Sequence, residues 1–396
     1  RICNDYTKNA LEEIGIPEEE FDKYFLKLEN SKVENMDFSV EDKLFVENFI
    51  KKTKGVKSER TRKILEIQRE WTEQLKKCDE VELYIIKSTV IIAGTCTGFV
   101  SNRIIRDVEF DYVIVDEAAK ATFPELAVSL NKAHKIILVG DHQQLPPVLD
   151  TEIIRNNKEK LDEEGLAQGI FERMYNMFPE DNKHRLTIQY RMHPTIGTLI
   201  SHVFYNDEIQ NGVEAQDREL CIEGYEGIAI EWISTSKYST KERYEKEFDN
   251  NGKKSYQNYL ERNIIERKLL ELDSKLVKRT KVAVITGYGS QKYILQTMVK
   301  QHSFKHIEVD VDTVDAFQGS QKDIILYSTV RSSGNKYGIG FLKSEARINV
   351  AFSRARCLLI IVGDMKFLDN YKIRGNKFPE IIKYITESEG CRIIEK

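Results

Sequence analysis

The chain has 396 residues, more than one small core holds, and the usual run of about 100 to 200 residues per domain points to two or three domains. Charged residues make up 31% of it, yet the formal net charge is only -4. A global basic field is therefore excluded, and any nucleic-acid surface has to be a local patch. Six cysteines, Cys3, Cys78, Cys96, Cys221, Cys357 and Cys391, are scattered with no C-x-x-C, which excludes a zinc ribbon or a disulfide frame. They read as reduced thiols of a cytosolic or nuclear protein, with the cytoplasm as the expected compartment. No apolar stretch is long enough to span a membrane, and the first residues, RICNDYTKNA, have no secretory core and no starting Met, so a fragment is expected.

Residues 1–80 are charge-rich and nearly free of Gly and Pro. In SERTRKILEIQREWTEQLKKC, Ile64, Ile67, Trp71 and Leu75 recur at three- and four-residue intervals, which puts them on one helix face with Ser58 as a candidate cap. A helical insert packed on a neighbouring lobe is the plain reading of this segment. From about residue 82 the texture changes to short β-branched runs, STVIIAGT, DYVIVDE and KIILVGD, each followed by a polar turn and a helical stretch. Buried runs alternating with helices imply a parallel sheet covered on both faces. After QYRMHP a second series begins: GIAIEWIS, a long helix from about Tyr256 to Lys278, KVAVITGY, HIEVDVDTV, KDIILYSTV and CLLIIVGD. The polar stretch from Tyr238 to Asn258 reads as a mobile surface loop. The expected organisation is thus α/β, with 1–80 helical, 81–188 the rest of a first lobe, 189–375 a second lobe and 376–396 a tail.

Ligands of such sheets bind at the carboxyl ends of the strands, and there DYVIVDE ends in Asp116 and Glu117. An Asp at that place can hold a magnesium through its water shell, and the following Glu can orient or deprotonate an attacking water. A lone Asp-Glu pair is more often a solvated acidic pair, so its neighbours matter. In LVGDHQQLPPV, a strand ends at Asp141, and Gln144 follows on a loop stiffened by Pro146 and Pro147. Its planar amide can donate to a phosphate oxygen while accepting from water. QYRMHP places Arg191 before a helix start marked by Pro194, and NVAFSRARC places Arg354 and Arg356 between a helix and a buried strand. Guanidinium groups reaching a γ-phosphate from a second lobe stabilise charge in the transition state. VDTVDAFQGSQKDIIL is a strand, a turn and a strand, and Thr313, Gln318 and Gly319 in it suit a phosphate backbone. No G-x-x-x-x-G-K-[ST] phosphate loop occurs anywhere in the 396 residues.

Taken in order, VDEAAKATFPE, LVGDHQQLPPV, QYRMHP, VDTVDAFQGSQKD and NVAFSRAR resemble motifs II, III, the second-lobe arginine motif, V and VI of superfamily 1 helicases, in the branch of the nonsense-mediated-decay RNA helicase and senataxin. The resemblance runs from about Ile91 to Gly363. It implies two RecA-like P-loop NTPase lobes, the first incomplete here and carrying the helical insert. It implies Asp116 as the magnesium ligand through water, Glu117 as the water-activating carboxylate, Gln144 as the γ-phosphate sensor, and Arg191 and Arg354 as the arginines that close on ATP. Asp141, Gly319 and Gln321 fall among its nucleotide-handling positions, although Gln321 stands where many members have an acidic residue that meets the sugar. Thr95 and Thr97 in GTCTG, Thr286 and Tyr288 in ITGYGSQ, and Thr313 match its nucleic-acid contacts, with Gly287 where relatives often have Pro. The cofactors so implied are ATP and Mg2+, and the partner is single-stranded DNA or RNA, followed 5′ to 3′ by a monomer in contact with no membrane. Because the phosphate loop precedes motif II in that family, a missing N-terminal segment of the same protein is expected to supply it, and these residues alone are expected to hydrolyse ATP negligibly. The rival expectation is a non-catalytic nucleic-acid or protein-binding module derived from a helicase. A fused nuclease does not fit in the short stretch from Phe378 onward.

Overall fold

The computed structural model describes Ile67, Glu70 and residues 79–147, 169–250, 253–333 and 338–395, and the chain divides into two compact units between Val108 and Glu109. In the first unit the described elements are α1 (Asp79–Ser88) and α2 (Cys96–Ser101). Thr95 starts α2 as a true cap: its hydroxyl accepts the Gly98 N–H at 3.0 Å. The stretch STVIIAGT, expected as a buried strand, forms none, and Val90 and Ile91 lie exposed. A buried strand needs neighbours on both edges and faces, and no described strand pairs with this one. Ile67 is helical but exposed, while Ser58, Ile64, Trp71 and Leu75 lie outside the described residues.

Besides one antiparallel pair and a parallel pair of two-residue strands, the second unit contains two longer parallel sheets of unequal size. The smaller pairs β1 (Phe110–Val115) with β2 (Ala133–Leu138) in the register Val113 to Ile136 and Val115 to Leu138. The connection between them is α3 (Phe123–Leu130), opened by a capping box in which the Thr122 backbone and hydroxyl donate to the Glu125 carboxylate, each at 2.8 Å. Further on come α4 (Ile170–Met177), then α5 (Pro194–Phe204), flanked by the two-residue strands β3 (Ile188–Gln189) and β4 (Gln210–Asn211).

The larger sheet is built from β5 (Ile230–Ser234), β8 (Thr280–Thr286), β9 (Ile307–Thr313), β10 (Lys322–Ser328), β11 (Ala355–Gly363) and β12 (Cys391–Glu395), all parallel, in the order β12-β5-β11-β10-β8-β9. Its two faces carry separate apolar cores. One is formed with α5, α9 (Glu345–Phe352), α10 (Met365–Asn370) and α11 (Phe378–Glu387) and contains Trp232, Ile325 and Ile361; the other is formed with α7 (Tyr259–Lys275) and α8 (Gly289–Val299) and contains Leu269, Val284 and Ile360. Alternate residues of one strand thus serve opposite cores, and the near-continuous apolar runs of the sequence follow from that. Residues 376–396, set apart in the sequence as a tail, supply α11 and the edge strand β12. Glu231 fastens that edge: buried on β5, it accepts the Arg392 Nη2 at 2.6 Å and faces the Lys268 Nζ at 3.2 Å.

In the stretch 238–258, expected as a mobile loop, the described residues form α6 (Thr240–Arg243) and an antiparallel pairing of β6 (Lys246–Asn250) with β7 (Lys253–Gln257). Its polarity misled because one of its charges points inward. The fully buried Glu245 carboxylate pairs with the fully buried Arg331 at 3.0 Å and accepts the backbone N–H groups of Ser332 and Ser333. Arg331 in turn stacks on the Tyr256 ring at 4.0 Å. Among the described residues no helix is long and apolar enough to cross a membrane.

Candidate active site

The carboxyl end of β1 delivers Asp116 and Glu117 to an exposed position. Asp116 Oδ1 accepts the Glu117 N–H at 2.9 Å, which turns the chain at once, and Glu117 takes the left-handed conformation with φ 54°. That conformation costs a non-glycine residue free energy and is held because Ala118 N–H donates to Val139 O at 2.8 Å on the neighbouring strand. Both carboxylates are left facing solvent, free to meet a cation or a water.

Beyond β2, Gly140 lets the two strand ends approach: a Cβ there would lie 2.8 Å from the Ala119 backbone nitrogen. The next residue organises the loop. Asp141 Oδ1 accepts the Gln143 N–H at 3.0 Å, and Oδ2 accepts both the Gln144 Nε2 at 2.8 Å and the Tyr205 hydroxyl at 2.5 Å. Leu145 is buried and anchors the turn before Pro146 and Pro147. Gln144 is therefore held at the base of its own loop.

The arginines arrive from the elements around the larger sheet. Arg354 ends the α9 turn, nearly fully buried, with Nε donating to Val350 O at 3.1 Å, Nη1 to Ser320 O at 3.4 Å and Nη2 to Gln144 Oε1 at 3.3 Å. Arg191 is set by its backbone, since its N–H donates to Gln189 Oε1 at 2.9 Å and its carbonyl accepts the Arg218 Nε at 2.9 Å; its Nη1 reaches Ser353 O at 3.3 Å. Burial lowers the pKa of both guanidinium groups. For Arg354 it falls to about 10, with desolvation the first cause and the like charge of Arg191 the second, while Glu117 opposes both shifts. Arg354 is thus a buried cation under the like charge of Arg191, whose residue as a whole stays exposed, and an anion there would relieve it. Asp116, Glu117, Asp141, Gln144, Arg191 and Arg354, picked out as separate words of the sequence, thus converge.

Gly319 has φ 80° with open space around its Cβ position, and Gln321 beside it is exposed; the same turn presents the Ser320 carbonyl to Arg354. Thr313, half-buried at the end of β9, has its N–H on Asp312 Oδ1 at 2.7 Å. Thr95 and Thr97 are exposed in the first unit, their hydroxyls 3.5 Å apart. Thr286 and Tyr288 are placed otherwise than expected. They are 0% and 2% exposed, with the Tyr288 ring edge-on to Tyr256 and Phe341 at 5.3 Å each, so as placed neither can touch a strand. The TGY turn is sealed by aromatic packing that no local pattern announces.

Sequence reasoning passed over Tyr205, Asn349 and Tyr190. Tyr205 follows an apolar helix and reads as core, yet its hydroxyl reaches Asp141. Asn349 is 0% exposed on α9 and donates to Gln143 O at 3.1 Å and to the Tyr205 hydroxyl at 2.8 Å. A poor helix former inside an apolar helix turn was the available signal. Tyr190 is exposed next to Arg191, its carbonyl held by Arg218 at 2.7 Å.

The donor set can be tested against a metal. Among the described residues no group of three or more His, Cys, Asp or Glu side chains could cage one. An ion that keeps its waters and leans on one exposed carboxylate and on substrate phosphates, as magnesium does, fits Asp116. Four of the cysteines, Cys96, Cys221, Cys357 and Cys391, are free thiols, and burial pushes the pKa of Cys357 and of Cys391 up to about 11.

Two family models, each described as an AAA domain, match residues 8–152 and 166–366. Among curated proteins, the Regulator of nonsense transcripts 1 homolog of Neurospora crassa is 34% identical over 74% of this chain and 26% of its own length. The ATP-dependent helicase NAM7 of Saccharomyces cerevisiae is 33% identical over 81% of this chain and 31% of itself. An uncharacterized ATP-dependent helicase of Methanocaldococcus jannaschii is 29% identical over 86% of this chain and 48% of itself. The chain therefore spans between about a quarter and a half of these relatives. Among solved structures, the PRRSV helicase aligns at 17% identity over 63% of this chain and 34% of that one with a TM-score of 0.31, too slight a likeness to carry an argument.

Proposed function

Since the chain belongs to the AAA-domain family of superfamily 1 helicases, in the branch of the nonsense-transcript helicases, we propose that it forms the motor portion of an ATP-dependent helicase or translocase acting on single-stranded DNA or RNA. The observation that carries this reading is the 3.3 Å contact from Arg354 to Gln144 Oε1. It joins a guanidinium on the larger sheet to an amide on the smaller one, the pairing that an ATP-driven closure requires of an arginine and a γ-phosphate sensor.

Each residue then has a task. Glu117, strained and solvent-facing, orients or deprotonates the attacking water. Asp116 would hold a hydrated Mg2+, which would supply charge neutralisation on the phosphates. Gln144 offers an N–H to the γ-phosphate and an oxygen to the water, while Arg191 and Arg354 stabilise charge that builds on the transferred group. Asp141, Gly319 and Gln321 frame the nucleotide. Thr313 in the second unit and, separately, Thr95 and Thr97 in the first are each suited to meet a strand chiefly through its phosphates, so binding should weaken with salt and tolerate any sequence. The 396 residues contain no G-x-x-x-x-G-K-[ST], and without a lysine and backbone nest on the β- and γ-phosphates they should turn over ATP negligibly alone.

The test is ATP turnover by the natural polypeptide that carries these residues, beside the 396-residue chain, with and without single-stranded DNA and RNA. Turnover by the natural polypeptide, raised by one polymer, supports the reading and names the substrate. Strand binding with no turnover in either would replace the motor by a binding module.

A further inference from the structure

We infer that Tyr205 and Asn349 are positioning residues: through a hydrogen-bond relay they hold the Asp141 carboxylate in the place from which it and Arg354 fix which end of the Gln144 amide faces the reaction centre. The inference rests on the motor reading above and adds two residues to it.

The relay begins at the Gln143 carbonyl, which can only accept. Asn349 must therefore turn its amide nitrogen there, at 3.1 Å, and the same nitrogen donates to the Tyr205 oxygen at 2.8 Å. The single Tyr205 proton is left for Asp141 Oδ2, 2.5 Å away. That oxygen also accepts Gln144 Nε2 at 2.8 Å, so the Gln144 carbonyl oxygen turns to Arg354 Nη2, which only donates, at 3.3 Å. A flipped Gln144 would set oxygen against the Asp141 carboxylate and N–H against the guanidinium, two repulsive contacts in place of two bonds. In the arrangement observed, Gln144 keeps one amide hydrogen for a phosphate oxygen and one lone pair for a water.

Two further features support a positioning role over plain packing. Asn349 Oδ1 is buried with no hydrogen-bond partner. A side chain kept only to fill space would be apolar there, because a half-satisfied amide is costly in a core. In addition, Asn349 lies in the last turn of α9 and Arg354 just past its Ser353 cap, so any shift of α9 moves the sensor's support and the guanidinium together. Burial and the neighbouring Asp141 carboxylate also keep Tyr205 protonated, the state the relay needs.

The experiment is steady-state ATP turnover of the natural polypeptide at saturating single-stranded nucleic acid. The variants are Tyr205→Phe, which keeps the ring, Asn349→Asp, which reverses the amide's polarity, Gln144→Ala, and Tyr205→Phe combined with Gln144→Ala. The relay predicts that Tyr205→Phe and Asn349→Asp each lower kcat by about ten- to a hundredfold while KM for ATP stays within about twofold. On the Gln144→Ala background, Tyr205→Phe should cost nothing further. Additive losses, a loss carried by KM, or an unchanged kcat in an enzyme that Asp116→Asn still abolishes would each overturn the relay and leave the motor standing. A wild type with no turnover would overturn both. Should Asn349→Asp not fold, as judged by amide exchange in β10 and β11, the two Tyr205→Phe comparisons decide.

Discussion

The two longer parallel sheets of the second unit are written in the same alphabet, yet they end up in opposite environments. On β1 and β2, Tyr112, Ile114, Ile136 and Ile137 are 54%, 66%, 42% and 46% exposed. On β11, Leu359, Ile360, Ile361 and Val362 are all at 0%. The runs VIVD and LIIVGD do not differ in hydrophobicity or β-branching enough to explain this. The difference lies in neighbours: β11 is flanked by β5 and β10 and covered on both faces, whereas β1 has one described strand beside it. Burial of an apolar strand is thus a property of the sheet that forms around it, and the ends of the exposed sheet can still carry chemistry, because the pairing of β1 with β2 sets where Asp116 and Asp141 emerge.

The sharpest way to break the comparison is to delete equal side chains from each sheet. Ile360→Ala in the larger sheet should destabilise the protein by about 2–5 kcal/mol, and Ile114→Ala in the smaller by under about 0.5 kcal/mol, in urea unfolding followed by circular dichroism. Equal losses would show that β1 is as buried as β11. A backbone test comes next. Gly140→Ala should cost about 1–3 kcal/mol, since its Cβ would press on the Ala119 nitrogen and crowd the buried Ala119 and Phe171 side chains. A neutral result would mean that the strand ends are loosely held.

A pH series sharpens the contrast from the buried side. Glu261 is fully buried on α7, and burial raises its pKa to about 8 although Ser328, Thr329 and Val330 donate to it. A carboxyl whose folded pKa lies above its unfolded value contributes most below the unfolded value and loses that contribution as pH rises through the folded one. Relative to Glu261→Gln, the wild type should therefore lose stability progressively from about pH 4.5 to pH 8. Parallel pH curves for the two proteins would contradict a protonated Glu261. The smallest effect belongs to the first unit, where Thr95→Ala should cost about 1 kcal/mol of local stability in α2, read as faster amide exchange at Gly98.

Much of the larger sheet was legible, because β8, β10 and β11 carry unbroken apolar runs and β5 and β9 are β-branched or aromatic segments broken only by acidic residues. The sixth, β12, hid behind a single Cys-Arg-Ile-Ile-Glu segment whose arginine looks like surface but pairs with the buried Glu231. The pairing of β6 with β7 was hidden for the same reason, its one buried charge, Glu245, being indistinguishable by type from the exposed ones around it. In the site, the strand-end carboxylates and the arginines were legible as words with chemistry. Tyr205 and Asn349 were not, since their partners lie 64 and 206 residues away in sequence. Thr286 and Tyr288 read as surface contacts from a turn motif, and only the packing of Tyr256 and Phe341 shows them sealed.

In the motor proposed here, Arg354 reaches across to serve the same phosphate as Gln144. Single-turnover ATP hydrolysis by the natural polypeptide, wild type against Arg354→Ala at saturating nucleic acid, tests it most directly. The expected result is a chemical step slowed by about 10³-fold or more with ATP binding retained. A rate within about threefold of wild type would contradict it.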